Sequence, residues 1–323
     1  MKRQAHIFLL TSLLQCALLS CLFGQEKAVD YYRRAYSEFS RGELDNALAN
    51  FTRTIELAPQ YPEARFARGC TKEAKGDLDG ALADYNQAIE INPKYSEAYI
   101  ARGKVKHRKG DQDGAVADYT SAIKASPKAV MAFYCRGDAE YDKGDLDGAL
   151  ADYNRAIQLD SRFARAYNGR ANIKYLKRDL DGALADYSSA IKIAPKFSRA
   201  HSGRGNVNWI QRDWDGVFTN YSRAVELDPK DGYAAGMLAS FMESIRKDYD
   251  EAERLYRKAL ELDPKSSQRA TYLAGFMERT RTNYAEALRL YELGIALDPK
   301  DERAKNEHAR FVKNHGAFAK QPP

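Results

Sequence analysis

From residue 28 to residue 301, apolar and small residues return at offsets of three and four inside blocks that recur every 34 positions. The block GDLDGALADYNQAIEIN, starting at Gly76, comes back from Gly144 as GDLDGALADYNRAIQLD, and more loosely from Gly110, Arg178 and Arg212. Offsets of three and four place side chains on one helix face, so the pattern predicts helices and not strands. A fixed period of this length is the mark of a repeat architecture, in which each unit buries its apolar face against the next. Eight units register: 28–61, 62–95, 96–129, 130–163, 164–197, 198–231, 233–266 and 268–301, with Gly232 and Ser267 as single insertions.

One column holds Ala35, Gly69, Gly103, Gly137, Ala171, Gly205, Ser240 and Gly275, all small. A second holds Ala47, Ala81, Ala115, Ala149, Ala183, Val217, Ala252 and Ala287, and four residues later stand Phe51, Tyr85, Tyr119, Tyr153, Tyr187, Tyr221, Tyr256 and Tyr291. Three further on the residue is small again, from Thr54 to Gly294. Prolines at 59, 93, 127, 195, 229, 264 and 299 close the units, with Ser161 the exception, because proline cannot continue a helix interior. Each unit therefore reads as helix, short turn, helix, stop. In length and in this order of small, small, aromatic, small and proline columns, residues 28–301 resemble the tetratricopeptide repeat family. The resemblance implies an all-α, right-handed superhelical solenoid of antiparallel helix pairs, whose concave wall, built mainly from first helices, binds peptide segments of other proteins. The last two units resemble a 35-residue variant of the repeat, residues 302–315 a polar closing helix, and 316–323 a tail.

One column departs from the family pattern, which commonly has leucine there. Arg34, Arg68, Arg102, Arg136, Arg170 and Arg204 stand in it, and sixteen residues later come Asn50, Asp84, Asp118, Asp152, Asp186 and Asn220. In the last two units the first becomes Ala239 and Ala274, and the second Leu255 and Leu290. Columns that switch together predict contact, because a partly buried arginine without its carboxylate would cost several kcal/mol. The expectation is a row of pairs within repeats, with an anion-binding arginine array as the less favoured reading.

Residues 1–25, MKRQAHIFLLTSLLQCALLSCLFGQ, have Lys2 and Arg3 before an apolar run and no acidic residue, the form of a secretory signal. Leu18-Leu19-Ser20-Cys21 resembles a bacterial lipobox, making Cys21 a lipidation candidate, while Leu22-Phe23-Gly24 suits ordinary cleavage. The chain is expected to be exported: periplasmic, secreted or lipid-anchored in a bacterial envelope. The formal charge of +6 falls to +4 without Lys2 and Arg3. Its interspersed charges lack the basic stripe that nucleic-acid binding requires. Cys70 and Cys135, two repeats apart, are expected to be buried thiols.

Chemistry-bearing motifs are few. The five D-x-D-G copies beginning at Asp77, Asp111, Asp145, Asp179 and Asp213 miss the third ligand position of a calcium loop, so they are expected to cap second helices. Their glycine lowers helix propensity by up to about 1 kcal/mol, and the sequence offers no reason for it. Lysines after the prolines, such as Lys94 and Lys128, predict a solvated edge, with docking to an acidic surface as the alternative. No metal-ligand spacing, phosphate loop or nucleophile elbow stands out, so no cofactor, metal or catalytic residue is expected. First-helix faces of units four to six carry the candidate peptide-binding groove: Tyr134, Asp138, Tyr141, Arg165, Asn168, Asn172, Tyr175, Arg199, Asn206 and Trp209. Amides, arginines and aromatics suit an extended backbone, although Tyr175 and Trp209 also suit packing between units. The Lys, Asn, Asn, Lys, Arg carboxylate clamp of the family is not reproduced, since Gly203 stands where its middle asparagine belongs. The function expected is a non-enzymatic, protein-binding scaffold. The alternatives are an accessory of an envelope enzyme or carbohydrate-processing complex, and a weak binder of nucleic acid or acidic surfaces.

Overall fold

The computed structural model describes residues 26–316. The expected signal with Cys21 and all but the first residue of the expected tail lie outside the described residues. Among these there is no strand, and the chain divides into two compact units between Ser161 and Arg162, where the proline column carries serine. The first unit holds α1 (26–40), α2 (Leu44–Leu57), α3 (Pro62–Ala74), α4 (Leu78–Ile91), α5 (Ser96–Arg108), α6 (Gln112–Ala125), α7 (Val130–Asp142) and α8 (Leu146–Leu159). The second holds α9 (Ala164–Leu176), α10 (Leu180–Ile193), α11 (Ser198–Gln211), α12 (Trp214–Leu227), α13 (Gly232–Phe241), α14 (Tyr249–Leu262), α15 (Ser267–Phe276), α16 (Tyr284–Leu297) and α17 (Glu302–His315). From α3 onward in the first unit and α9 in the second, each first helix packs most extensively on the second helix of its own repeat. Within either unit, that second helix then packs on the first helix of the next repeat.

The alanine and aromatic columns form the cores: Ala81 with Tyr85, Ala115 with Tyr119 and Ala183 with Tyr187 are buried. The small column has a steric cause. A Cβ on Gly69, Gly103, Gly137 or Gly205 would come 2.7 to 3.1 Å from the ring of Tyr85, Tyr119, Tyr153 or Tyr221. Repeat five solves the same problem from the other side. Ala171 stands in its small column, and Gly203 of the following α11 leaves the room, since a Cβ there would lie 2.5 Å from Cζ of Tyr187. Gly203→Ala is therefore expected to destabilise the second unit by about 2 kcal/mol. That overcomes the gain of up to about 1 kcal/mol in helix propensity. A lower urea midpoint at unchanged m-value would show it.

The D-x-D-G aspartates cap as expected: Asp77, Asp111, Asp145, Asp179 and Asp213 accept hydrogen bonds from the backbone N–H of Gly80, Gly114, Gly148, Gly182 and Gly216. The glycine now has an account, because a Cβ at Gly80 would sit 2.7 Å from Cγ of the capping Asp77 and closer still to its oxygen. Asp248 and Asn283 cap Glu251 and Glu286 without glycine, so the cap itself does not demand it. In the five glycine repeats the cap hydrogen bond is 2.9 to 3.0 Å, against 3.1 and 3.2 Å at Glu251 and Glu286.

Turns between first and second helices are left-handed throughout. Repeats one to four place Gly42, Gly76, Gly110 and Gly144 there, whereas repeats five to eight place Arg178, Arg212, Lys247 and Thr282 at φ between 53° and 64°. In repeats seven and eight the extra residue, which the register puts at Gly232 and Ser267, is taken up inside the first helix. α13 and α15 both finish in a wider π turn, Met242–Arg246 and Met277–Arg281. α17 closes the second unit: Phe311 is fully buried, and Arg310 holds Glu278 through two hydrogen bonds of 3.1 and 2.6 Å.

Candidate functional site

The arginine column forms pairs within repeats two to six. Asp84 accepts from Nε and Nη2 of Arg68 at 2.9 and 2.6 Å, and Asp118, Asp152 and Asp186 do the same for Arg102, Arg136 and Arg170. Arg204 reaches the neutral Asn220 at 2.9 Å, and burial lowers the pKa of its guanidinium, as expected without a carboxylate. In repeat one, Asn50 instead gives its amide to Glu38. Where the column switches, Leu255 is buried in the core that Ala239 lines. Four of these arginines are thus held by carboxylates, which removes the ground for an anion-binding array.

The first-helix faces divide the predicted groove residues by occupation. In the first unit, Asp138 accepts from the buried Tyr153 hydroxyl at 2.7 Å, Tyr134 packs on the Tyr153 ring, and Tyr141 is half-buried. In the second unit, Asn172 Oδ1 accepts from Tyr187 at 2.6 Å, and Asn206 Oδ1 accepts from both Tyr221 at 2.5 Å and Tyr233 at 2.7 Å. These polar residues therefore have structural work, which the sequence did not reveal. Tyr175 packs against the core of repeat five, and Trp209 packs edge-on to Trp214 and Phe241. Arg165 is exposed.

Four of the predicted residues come together. Asn168, Asn172, Arg199 and Asn206 line a hollow of about 260 Å³ across α9, α11 and the start of α13, with Ser202, Gly203, Asp231 and Tyr233 completing it. Ser202 and Tyr233 were not anticipated. No residue-type signal marks Ser202. The amide orientation in the hollow is fixed from behind. Tyrosine hydroxyls hold Oδ1 of Asn172 and Asn206, as one holds the acceptor-only Asp138 elsewhere, so the two Nδ2 groups are left to donate outward. Ser202 is 5% exposed, and its Oγ, like Oδ1 of Asn168, is buried without a partner. A buried hydroxyl left unpaired is costly, and a ligand at this wall would relieve it. The arrangement offers hydrogen bonds to a neutral or acceptor-rich chain and holds no nucleophile and base in line.

Models described as TPR repeat match residues 74–110 and 137–177, and models described as Tetratricopeptide repeat match 96–128 and 245–311, together about half of the chain. The chain is a tetratricopeptide repeat protein. A chain of the APC/C hetero-tetramer Cut9-Hcn1 superposes with a TM-score of 0.69 at 16% identity over 86% of this chain. The present sequence spans only 55% of that chain. A tetratricopeptide repeat protein from Parabacteroides merdae superposes with a TM-score of 0.61 at 16% identity, over 78% of this chain and 98% of its own. Pseudomonas aeruginosa pilF gives 0.60 at 14% identity, over 68% and 98%. No curated protein matches the sequence.

The tetratricopeptide repeats of this protein are also tied to one another by charge. Asp79 and Asp113, the second aspartates of the first two motifs, are partners and not caps: they receive Lys109 and Lys143 of the following repeat, as Asp45 at the matching position of repeat one receives Lys75. Lys72, Lys106 and Lys174 add a second cation to Asp84, Asp118 and Asp186 at 2.8 to 2.9 Å. Repeat four breaks that rule with Glu140, which lies beside Arg136 and Asp152, has one carboxylate oxygen buried without a partner, and is pushed up to about 7, first by burial and then by Asp152. Among the described residues no three His, Cys, Asp or Glu side chains converge as a metal site, and no helix is long and apolar enough to cross a membrane.

Proposed function

We propose that this tetratricopeptide repeat protein is an exported, non-catalytic scaffold that holds an extended segment of a partner protein against α9, α11 and α13. The observation that carries the reading is the donor-lined hollow with its unpartnered, buried Ser202 hydroxyl. A strand-like segment brings a carbonyl to each outward amide and to Arg199, while Asn168 and Ser202 are free to accept from its N–H groups. Because the tyrosines pre-set both amides, little ordering is left to oppose binding. Export rests on the charge and apolar pattern of residues 1–25, with either Cys21 lipidation or ordinary cleavage placing the protein in the envelope.

Asn172→Asp with Asn206→Asp tests the site without disturbing the fold, since a carboxylate still accepts from Tyr187 and Tyr221 as Asp138 does from Tyr153. Captured partner from envelope extracts is expected to fall about ten-fold, which two lost hydrogen bonds of about 1 kcal/mol each readily supply. The melting temperature is expected to stay close to that of wild type. Equal capture of the same proteins by both chains would refute the assignment.

A further inference from the structure

Three turns of the second unit depart together from what the same positions hold elsewhere. At the end of the first helix, repeats one to four place Ser40, Ala74, Arg108 and Asp142, and repeat eight places Thr280. Repeats five, six and seven place Leu176, Ile210 and Ile245 there, at 50%, 37% and 37% exposure, and Tyr249 nearby is 39% exposed. Two residues further on, in the left-handed position, repeats one to four use glycine and repeat eight uses Thr282, while these three alone use a cation, Arg178, Arg212 and Lys247. A residue with a Cβ is disfavoured in that conformation, so stability alone would not choose it. Each turn thus pairs an exposed apolar tip with a cation: Leu-Lys-Arg, Ile-Gln-Arg and Ile-Arg-Lys.

We propose that this edge, the first-helix ends of repeats five to seven, docks on an anionic lipid surface. The charge on offer is positive because the acidic neighbours are turned away. Asp179, Asp213 and Asp248 are spent on the caps of α10, α12 and α14, Asp181 meets Gln211, and Asp250 meets Arg281. Asp215 is the one aspartate in these turns that no described group holds. None of the three tips lines a described hollow, and each repeat contributes one exposed tip. Protruding apolar residues flanked by cations suit insertion into a soft headgroup layer, with lysine and arginine left among the phosphates. A folded protein partner would require a matching set of recesses.

Flotation of the full-length protein with phosphatidylcholine vesicles, with and without phosphatidylglycerol, tests this. The ratio of the two bound fractions is the readout, because the apolar residues 1–25 contribute to both. Wild type is expected to prefer the anionic vesicles. The triple variant Arg178→Gly/Arg212→Gly/Lys247→Gly is expected to lower the ratio about ten-fold or more, and Leu176→Ser/Ile210→Ser/Ile245→Ser to lower the fraction bound to the anionic vesicles about three-fold or more. The glycine variant relieves the left-handed turns and should melt no lower than wild type, so its lost binding is not unfolding. Equal binding of wild type to both vesicles overturns the proposal, as does a ratio changed less than about three-fold in the glycine variant or unchanged binding of the serine variant to the anionic vesicles. Preference for soluble polyglutamate over anionic vesicles would also overturn it, in favour of an acidic protein partner.

Discussion

Asp84→Ala is expected to cost the first unit about 3 to 5 kcal/mol. The carboxylate is 1% exposed and serves two cations at once, Arg68 through two hydrogen bonds and Lys72 at 2.8 Å. Alanine leaves both cations facing a site built for an anion, and their side chains are only 18% and 23% exposed. Removing one partner of a buried pair is far more damaging than the net worth of the pair, because the survivor keeps its desolvation cost. Asp84→Asn should cost about half as much, since repeat six already runs on this arrangement with Arg204 and Asn220. In a stacked array such damage stays near its own repeat and its neighbours. Hydrogen exchange is therefore the measurement to choose: faster exchange concentrated in α3 to α5, with α9 to α17 unchanged, is expected. Uniform exchange across both units would show that the pair is not a local fastener.

Glu140→Gln is expected to stabilise the first unit, and by an amount that grows with pH. Glu140 is held mainly by burial, then by Asp152 and Asp145, at about 7 against an ordinary 4.5, with Arg136 only partly offsetting. A carboxyl whose folded pKa is raised stabilises the fold fully below its unfolded value. That stability is lost as pH climbs through the folded one. The wild type therefore surrenders stability between about pH 4.5 and pH 7, up to about 3 kcal/mol for a shift of this size. Glutamine cannot ionise and surrenders none. Melting curves of the two proteins should nearly coincide at pH 4.5 and separate steadily to pH 8. Glu140→Lys should gain more, because it restores the second cation that Asp84, Asp118 and Asp186 already have. A separation that did not change with pH would place the ionisation elsewhere.

Legibility followed the kind of information involved. The helices, their caps and the alanine and tyrosine columns could be read directly, because a 3.6-residue period states which face of each helix is buried and eight copies repeat the statement. The Arg68 to Asp84 pairing was readable for a second reason: two columns changed together at Ala239 and Leu255, which records contact without any coordinates. The lining of the proposed groove was only half readable. Asn172 and Asn206 looked free because nothing local shows that a tyrosine hydroxyl fifteen residues later ends at each amide. Trp209 looked like groove and is taken up by Trp214 and Phe241.

By itself, then, the sequence determined the period, the all-helical pairing, the small-residue columns and the row of arginine to aspartate contacts, since all of these depend on spacing along one helix or between two joined by a short turn. Tertiary structure alone decided which polar atoms remain unspent. It set Ser202 unpartnered beside Gly203, let Ala171 push the demand for space onto the next repeat, tied Lys75 to Asp45 across thirty residues, and buried one oxygen of Glu140 without a partner. The reason is geometric: whether a hydroxyl, amide or carboxylate finds its partner turns on ångström distances between neighbouring helices, and residue spacing in the chain does not encode them.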